Sequence, residues 1–149
     1  MSNTEQKELA SQFCEQINTD LGYLRGYDDA KREKLVNRIN SLTITSAILP
    51  IVVTFISAYV YIITQQVITF VSSFVNVIPP ILMNNTKAKI EHYNKCLDLK
   101  LRFTSLRGDT NRLAVIGQLK DQYLADVKTE LKHLSDALKE ALGLPSASQ

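Results

Sequence analysis

The chain has 149 residues and a formal net charge of +2, with 17 basic and 15 acidic side chains. This length allows one modest domain. Its two cysteines, Cys14 and Cys96, have no paired spacing, which argues against a disulfide framework or a metal site and favours reduced thiols facing a cytosol. The near-balanced charge hides a strong segregation, because positions 39 to 86 carry no charged residue.

The first segment, residues 1–41, is polar and mixed in charge. It does not resemble a secretory signal, because the apolar run begins only near position 41. Apolar residues at helical spacing predict an amphipathic helix here: Leu9, Phe13, Ile17, Leu21 and Leu24. A second helix, starting near Asp28, is expected to run into the apolar region, where its Lys and Arg side chains meet either anionic headgroups or solvent.

The uncharged region predicts two membrane spans. A span needs about 20 mainly apolar residues, so residues 42–85 hold two of them, about 43–63 and 67–84, joined by a tight turn. The turn is placed at "TQQ", residues 64–66, since side-chain amides are costly in hydrocarbon. Basic residues flank both outer ends and none lies in the turn, which places both termini in the cytosol. The predicted fold is all-α: a two-helix transmembrane hairpin in the bacterial inner membrane, multi-pass, with a cytosolic helical domain formed by both termini.

Small and polar side chains form a stripe along each predicted span. Two interpretations stay open. The stripes let the two helices pack closely and exchange hydrogen bonds, or they line water inside an oligomer. Under the second interpretation, the first-choice pore-lining residues are Thr54, Ser57, Tyr61 and Thr64, and the second choices are Ser72, Ser73 and Asn76.

Three prolines interrupt the predicted spans. Pro50 lies in the first span, and Pro79 and Pro80 lie in the second, all toward the cytosolic side of an antiparallel hairpin. Because proline removes a backbone hydrogen bond and tends to kink a helix, they are hinge candidates near a cytosolic mouth. The alternatives are a fixed kink without motion and, for Pro79-Pro80, the end of the second span.

The C-terminal segment, residues 86–149, predicts two further helices. The first carries an apolar stripe: Ile90, Tyr93, Leu97, Leu101 and nearby Phe103. It is expected to end near Gly108, and the second helix is expected to start at Asp109 or Thr110 and to stop at Gly143. The second helix carries a coiled-coil seam: Leu124, Val127, Leu131, Leu134 and Leu138. This seam can pair with the N-terminal helix of the same chain or with its copy in a neighbouring chain.

No catalytic constellation is found. His92 and His133 stand alone, and there is no nucleophile motif, Walker loop or dinucleotide fingerprint, so we expect neither an enzyme nor a cofactor or metal. Basic residues do cluster around the expected helix break at "SLRGDT", where the free N–H groups of a helix N-terminus favour anions. Candidates for contacting a phosphate-bearing ligand are Lys100, Arg102, Arg107 and Arg112. The alternative is a solvated basic face near anionic lipid.

The layout resembles the SLATT family, bacterial two-span membrane proteins associated with nucleotide-signalling defence systems. The resemblance covers most of the chain and consists of the amphipathic segment "DAKREKLVNRINSL", the tight hairpin, and the polar-aromatic segment "NNTKAKIEHYNKCLDLKLRF" that leaves the second span. It implies a membrane effector that forms a pore when phage infection is sensed. It also implies a nucleotidyltransferase or nucleotide-sensing partner and a nucleotide or oligonucleotide signal. The long C-terminal seam is an addition to this layout.

We therefore expect a homo-oligomeric inner-membrane channel, for example a tetramer, gated from its cytosolic helical domain. Opening would depolarise the cell as part of an antiphage defence. Two alternatives remain. One is a non-conducting membrane scaffold whose hairpin anchors a coiled coil that recruits partners. The other is a holin-like lysis protein, which also has few spans and a basic tail.

Overall fold

Four α-helices make up the structure. The computed structural model describes residues 3–60 and 65–144, and within them all side chains except those of residues 3, 58–60, 65–73 and 75–76. The helices are α1 (Asn3–Tyr23), α2 (Asp29–Val60), α3 (Gln65–Ile116) and α4 (Asp121–Leu142). No strand occurs in the described ranges, which confirms the all-α prediction. The chain divides into two compact units, one formed by residues 29–91 and the other by the residues on either side of them.

The unit outside residues 29–91, here called the helical bundle, consists of α1, the part of α3 after Glu91, and α4. One face of each helix forms its core, whose members are at most 8% exposed: Ala10, Phe13, Ile17, Leu24, Cys96, Leu99, Phe103, Leu119, Leu124, Val127, Leu131, Leu134 and Leu138. The expected α4 seam is buried completely, and the expected α1 stripe lies in the core or packs against it. Helix α4 packs on α1 of the same chain, so of the two pairings left open, the structure adopts the intramolecular one.

The two ends of α4 explain why the helix occupies this range. At its start, Asp121 accepts a hydrogen bond of 2.9 Å from Nε2 of Gln6, which fastens the first turn to α1 and lowers the pKa of the Asp121 carboxyl. At its end, Gly143 adopts φ 64°, the left-handed conformation that glycine allows at little cost. The N–H of Leu144 then donates to the carbonyl of Lys139 at 2.9 Å. The predicted stop at Gly143 is confirmed.

The predicted helix break at Gly108 is wrong, because α3 continues through it to Ile116. Glycine in a helix interior costs only about 1 kcal/mol relative to alanine. Phe103 and Thr110, which flank the glycine, are both 0% exposed, and burying them holds this part of α3 helical. The turn lies instead at Gly117, which has φ 72°.

The apolar stripe predicted for α3 is also corrected. Phe103 is buried, as predicted, but Leu101 is 69% exposed, and Cys96 and Leu99, which lie outside the predicted stripe, are buried. The core-facing side of α3 is therefore shifted relative to the predicted stripe. The predicted stripe did not include Cys96, because a thiol is not a clearly apolar group. Free cysteine is nevertheless among the most buried residue types.

The second unit, here called the apolar unit, consists of α2 and of α3 up to Glu91. Helix α2 is a single helix in which the charged first turns continue into the apolar stretch. Half-buried positions recur along it at steps of three and four: Leu35, Ile39, Leu42, Ser46, Leu49, Val53 and Ser57. A matching series follows in α3: Pro79, Met83, Thr86 and Ile90. This spacing is typical of two helices packed along complementary stripes.

The remaining faces of α2 are apolar and exposed. Ile44, Ile51 and Phe55 are 60%, 57% and 74% exposed. Within Asp29–Ser57 the helix is long and apolar enough to cross a membrane, and no residue of its apolar window is buried. A single helix of this kind is weak support for a span. Half of the second predicted span, 67–84, falls on side chains outside those described; in the other half Phe74, Val77 and Ile81 are exposed.

Candidate functional site

The most elaborate polar arrangement in the described residues lies in the helical bundle, where the chain leaves α1. The helix ends at Tyr23, and the backbone turns tightly, with the N–H of Tyr27 donating to the carbonyl of Leu24 at 3.1 Å. Leu24 is 0% exposed, so the turn is anchored in the core. The linker between α1 and α2 then passes over the part of α3 that begins at His92.

Side chains of α3 satisfy the carbonyl groups of this linker. Nζ of Lys100 donates to the carbonyl of Tyr27 at 2.8 Å, and the hydroxyl of Tyr93 donates to the carbonyl of Gly26 at 3.2 Å. Carbonyl groups that follow a helix end have no helical donor, and leaving one buried and unpaired costs free energy comparable to a lost hydrogen bond. The two α3 side chains therefore hold the linker in place.

The side chain of Tyr27 completes the arrangement. Its hydroxyl lies 3.0 Å from Nε2 of His92 and donates to that nitrogen when Nδ1 carries the imidazole proton. The two rings meet edge to face, with centroids 5.7 Å apart. On its other side, Tyr27 packs against Tyr93 at a centroid distance of 4.8 Å. Both separations lie in the range that aromatic pairs prefer.

Cys96 lies one helical turn beyond His92, with its Sγ 3.8 Å from Nε2 of that histidine. The thiol is 0% exposed. Burial raises the pKa of the Cys96 thiol and the pKa of the Tyr27 hydroxyl, so both groups are uncharged at neutral pH. A buried neutral thiol is a poor nucleophile and a poor metal ligand, and the chemistry of this site is hydrogen bonding and packing.

We call Gly26, Tyr27, His92, Tyr93, Cys96 and Lys100 the linker cluster. The chain leaves the helical bundle after Asp28 and re-enters it at His92. Asp28 and His92, where the chain leaves and re-enters the bundle, are thus each within two residues of a member of the linker cluster. The hydrogen bonds of the linker cluster can therefore hold the chain at its exit from the bundle, and their loss would release it.

The candidate ligand-binding residues on α3 lie elsewhere on the bundle or are already engaged. Lys100 belongs to the linker cluster. Arg102 forms an ion pair of 3.0 Å with Asp98, and Nη1 of Arg107 donates to Oδ1 of Asn18 on α1 at 2.8 Å. Arg112 is exposed. Because α3 is continuous at Gly108, the free N–H groups expected there do not exist, and the geometric basis for an anion site is lost. Binding of a ligand by these four residues stays a prediction.

The second cysteine lies on α1. Sγ of Cys14 donates to Oδ1 of Asn111 at 3.2 Å, and partial burial raises the pKa of the Cys14 thiol although Arg107 opposes this shift. Both cysteines are free thiols. Among the residues described, no group of three or more His, Cys, Asp or Glu side chains is placed to hold a metal ion.

The pore-lining candidates are only partly visible. Thr54 is exposed and Ser57 is half-buried. Tyr61 and Thr64 lie outside the described residues, as do the side chains of three α3 candidates: Ser72, Ser73 and Asn76.

The hinge candidates are all placed inside helices. Pro50 is half-buried within α2. In α3, Pro79 is buried and Pro80 exposed, and the helix continues beyond both. Pro79-Pro80 therefore does not end the helix, but whether it marks the end of the second span stays a prediction, as does hinge motion.

Sequence reasoning missed most of the linker cluster. His92 was expected to stand alone, and it is instead hydrogen-bonded to a residue 65 positions earlier. The only available signal was the spacing of His92, Cys96 and Lys100, which places all three on one face of α3. Comparisons of this chain with protein-family models, with curated proteins and with solved structures find no match.

Proposed function

We propose that the chain is a membrane effector that assembles into an oligomeric pore and is gated from its helical bundle. The resemblance to the SLATT family adds the setting: antiphage defence in a bacterial inner membrane, with both termini cytosolic and with a nucleotide or oligonucleotide signal or a nucleotidyltransferase partner. The proposal includes no enzymatic activity.

One observation carries the membrane part of the proposal: outside the half-buried stripe, the large apolar side chains of α2 are exposed, for example Ile44, Ile51 and Phe55. A core helix of a soluble protein buries such residues, because each large apolar side chain gains about 1.5 to 3 kcal/mol on burial. No residue of the apolar window of α2 is buried. A contiguous exposed surface of this kind requires another apolar environment, and a bilayer supplies one of suitable thickness.

The hydroxyl groups of α2 are compatible with that environment. Oγ1 of Thr54 donates to the carbonyl of Pro50 at 2.8 Å, and Oγ1 of Thr43 donates to the carbonyl of Ile39 at 2.9 Å. Each donor is satisfied within its own helix, so neither hydroxyl requires a partner in lipid. The oxygen lone pairs stay available to accept hydrogen bonds, which is what a pore lining offers to water.

The burial pattern of α2 supports the choice of pore face. The stripe from Leu35 to Ser57 is half-buried, whereas Thr43 and Thr54 lie on exposed positions. A hydroxyl-bearing face that is not used within one chain is available to line an aqueous path between several chains. This favours Thr54 over Ser57 as a pore-lining residue.

The linker cluster supports gating from the bundle. A signal that rearranges the bundle can act on residues 29–91 through the chain connections, and the linker cluster holds the carbonyl groups of Gly26 and Tyr27, which lie next to the first of them. In this proposal, breaking these hydrogen bonds releases the first connection, and the held and released linker are the two states that a gate needs.

The pore is tested by ion flux from liposomes that contain the purified full-length chain. Thr54→Leu removes a hydroxyl from the proposed lining, and we expect flux to fall about tenfold, as for loss of one polar contact of about 1.4 kcal/mol. Ile51→Leu, at a comparably exposed apolar position, is the matched control and should leave flux unchanged. Equal flux in all three proteins rejects Thr54 as a lining residue. A monomeric mass in detergent, or no flux under any signal tried, contradicts the pore itself.

The scaffold alternative stays open. Leu124, Leu131 and Leu138 of the α4 seam are each 2% exposed because their own chain covers them, so such a scaffold would recruit partners through other surfaces of the bundle, and a monomeric mass in detergent would favour it. A holin-like protein is separated by the size of its lesion, since a holin releases a large periplasmic reporter and an ion channel does not.

A further inference from the structure

The basic residues of the apolar unit form a distinct surface. Within residues 29–91 the chain has six basic residues and three acidic residues, Asp29, Glu33 and Glu91. All six basic side chains are exposed: Lys31, Arg32, Lys34, Arg38, Lys87 and Lys89. They lie only before and after the uncharged stretch of residues 39–86, so positive charge is confined to the two outer borders of the apolar region.

Three of these residues lie next to the predicted span ends. Arg38 precedes the first span at residue 43 by five positions, and Lys89 follows the second span at residue 84 by five positions. At 1.5 Å per helical residue each is about 8 Å from the hydrocarbon border. The headgroup layer is about 5 to 7 Å thick on each side of the bilayer, and Lys and Arg side chains reach toward it. Lys87 lies closer still.

The other three lie farther from the border. Lys34 and Lys31 precede residue 43 by nine and twelve positions, which corresponds to about 14 and 18 Å. At physiological ionic strength an exposed charge acts over about 8 Å. Arg32 is also 3.6 Å from the carboxylate of Asp29. These three therefore interact with a charged surface more weakly than the first three.

We infer that Arg38, Lys87 and Lys89, here called the basic collar, bind the phosphate groups of anionic phospholipids. The inference rests on the proposed embedding of the apolar unit in a bilayer. None of the three forms an ion pair with any acidic residue that the structure describes, so their charge is available to a ligand. The ligand that lies beside the border of an apolar span is a lipid headgroup, and anionic headgroups attract each nearby Lys or Arg.

The test uses the full-length chain in nanodiscs made of phosphatidylcholine with a minority of phosphatidylglycerol. The ratio of the two lipids retained by the protein is measured by mass spectrometry and compared with the bulk ratio. We expect about fivefold enrichment of phosphatidylglycerol around the wild-type chain at low salt, which corresponds to the effect of a basic residue near the surface, and little enrichment at high salt.

Three triple variants locate the effect. Arg38→Gln with Lys87→Gln and Lys89→Gln should lose most of the enrichment. Lys31→Gln with Arg32→Gln and Lys34→Gln should lose a smaller part. Lys120→Gln with Lys128→Gln and Lys132→Gln removes the same charge from exposed positions of the helical bundle and should lose none. Unchanged helical circular dichroism verifies that each variant folds.

Equal enrichment in the collar variant and in the bundle variant overturns the inference. So does displacement of phosphatidylglycerol by soluble glycerol phosphate or by a short oligonucleotide, since either would assign the collar to a soluble ligand. Flotation separates this inference from the proposed function. A chain that floats with pure phosphatidylcholine vesicles but enriches no anionic lipid disproves the collar alone, and a chain that floats with no vesicle disproves both.

Discussion

The helical bundle and the apolar unit contain similar apolar side chains and place them differently. In the bundle, Phe103 is 0% exposed because three helices of one chain surround it, whereas in the apolar unit Phe55 is 74% exposed. The difference shows that apolar content alone does not mark a core. What distinguishes the two is the outward surface, since several large apolar side chains are exposed along the apolar half of α2, for example Ile44, Ile51 and Phe55.

The strongest test of this contrast compares two phenylalanines. Phe103→Ala should lower the free energy of unfolding in detergent by about 3 to 5 kcal/mol, because it leaves a cavity in the bundle core. Phe55→Ala should change it by less than about 0.5 kcal/mol. Both are measured by chemical denaturation followed by circular dichroism. Similar losses for the two variants would show that Phe55 is also packed, and the contrast would fail.

The next largest effect concerns the linker cluster. Lys100→Met keeps much of the apolar stem but removes the donor to the Tyr27 carbonyl, and we expect a loss of about 1.5 to 3 kcal/mol, as for a hydrogen bond from a charged group. Hydrogen exchange at residues 24–28 should become faster as the linker loosens. Lys128→Met, at an exposed position of α4, is the control. Unchanged exchange in Lys100→Met would mean that the linker is held by packing instead.

A smaller effect depends on pH. Burial raises the pKa of the Asp20 carboxyl, although Ser135 and Lys139 oppose the shift, and its Oδ2 atom is buried with no hydrogen-bond partner. The folded state therefore holds the proton more tightly than the unfolded state does, so stability falls as pH rises from the unfolded value near 3.8 through the raised folded value. Asp20→Asn removes this slope and should be more stable than wild type at pH 7. Parallel pH profiles of the two proteins would contradict the assignment.

The smallest expected effect is on the surface. Arg102 and Asp98 form a 3.0 Å ion pair one helical turn apart, but their side chains are 60% and 63% exposed. Solvent screens such a pair, and Arg102→Gln should cost no more than about 0.5 kcal/mol. The difference should vanish in high salt. A loss above 1 kcal/mol that persists in salt would show that Arg102 contributes to the bundle in another way.

The sequence predicted those parts of the fold that follow from local periodicity. The faces of α1 and α4 were predictable because leucine, isoleucine and valine recur at steps of three and four, and Gly143 ends α4 as its conformational freedom allows. The predicted break at Gly108 is wrong because a glycine ends a helix only when neighbouring side chains do not stabilise it. Here Phe103 and Thr110 are buried in the bundle and keep the helix continuous, and this burial cannot be read from the local sequence.

The linker cluster was not predictable for a related reason. Tyr27 and His92 meet only after the chain has passed through 65 positions, and nothing in the local pattern of either residue indicates the other. Likewise, the sequence does not show which hydroxyl groups of α2 are exposed. The small and polar residues of the first predicted span allow two interpretations, helix packing or a pore lining, and the burial of individual positions along α2 is known only from the structure.

The bundle is formed by two stretches of chain, one before and one after residues 29–91, and this affects the order in which its parts can fold during synthesis. Helix α1 leaves the ribosome first, but the residues that bury its apolar face belong to α3 and α4, which are synthesised only after residues 29–91. Closing a loop of about 60 residues costs about 4 kcal/mol of chain entropy. Contacts between the two ends of the loop, such as that between Tyr27 and His92, must offset this cost. The bundle can therefore form only after residues 29–91 have been synthesised.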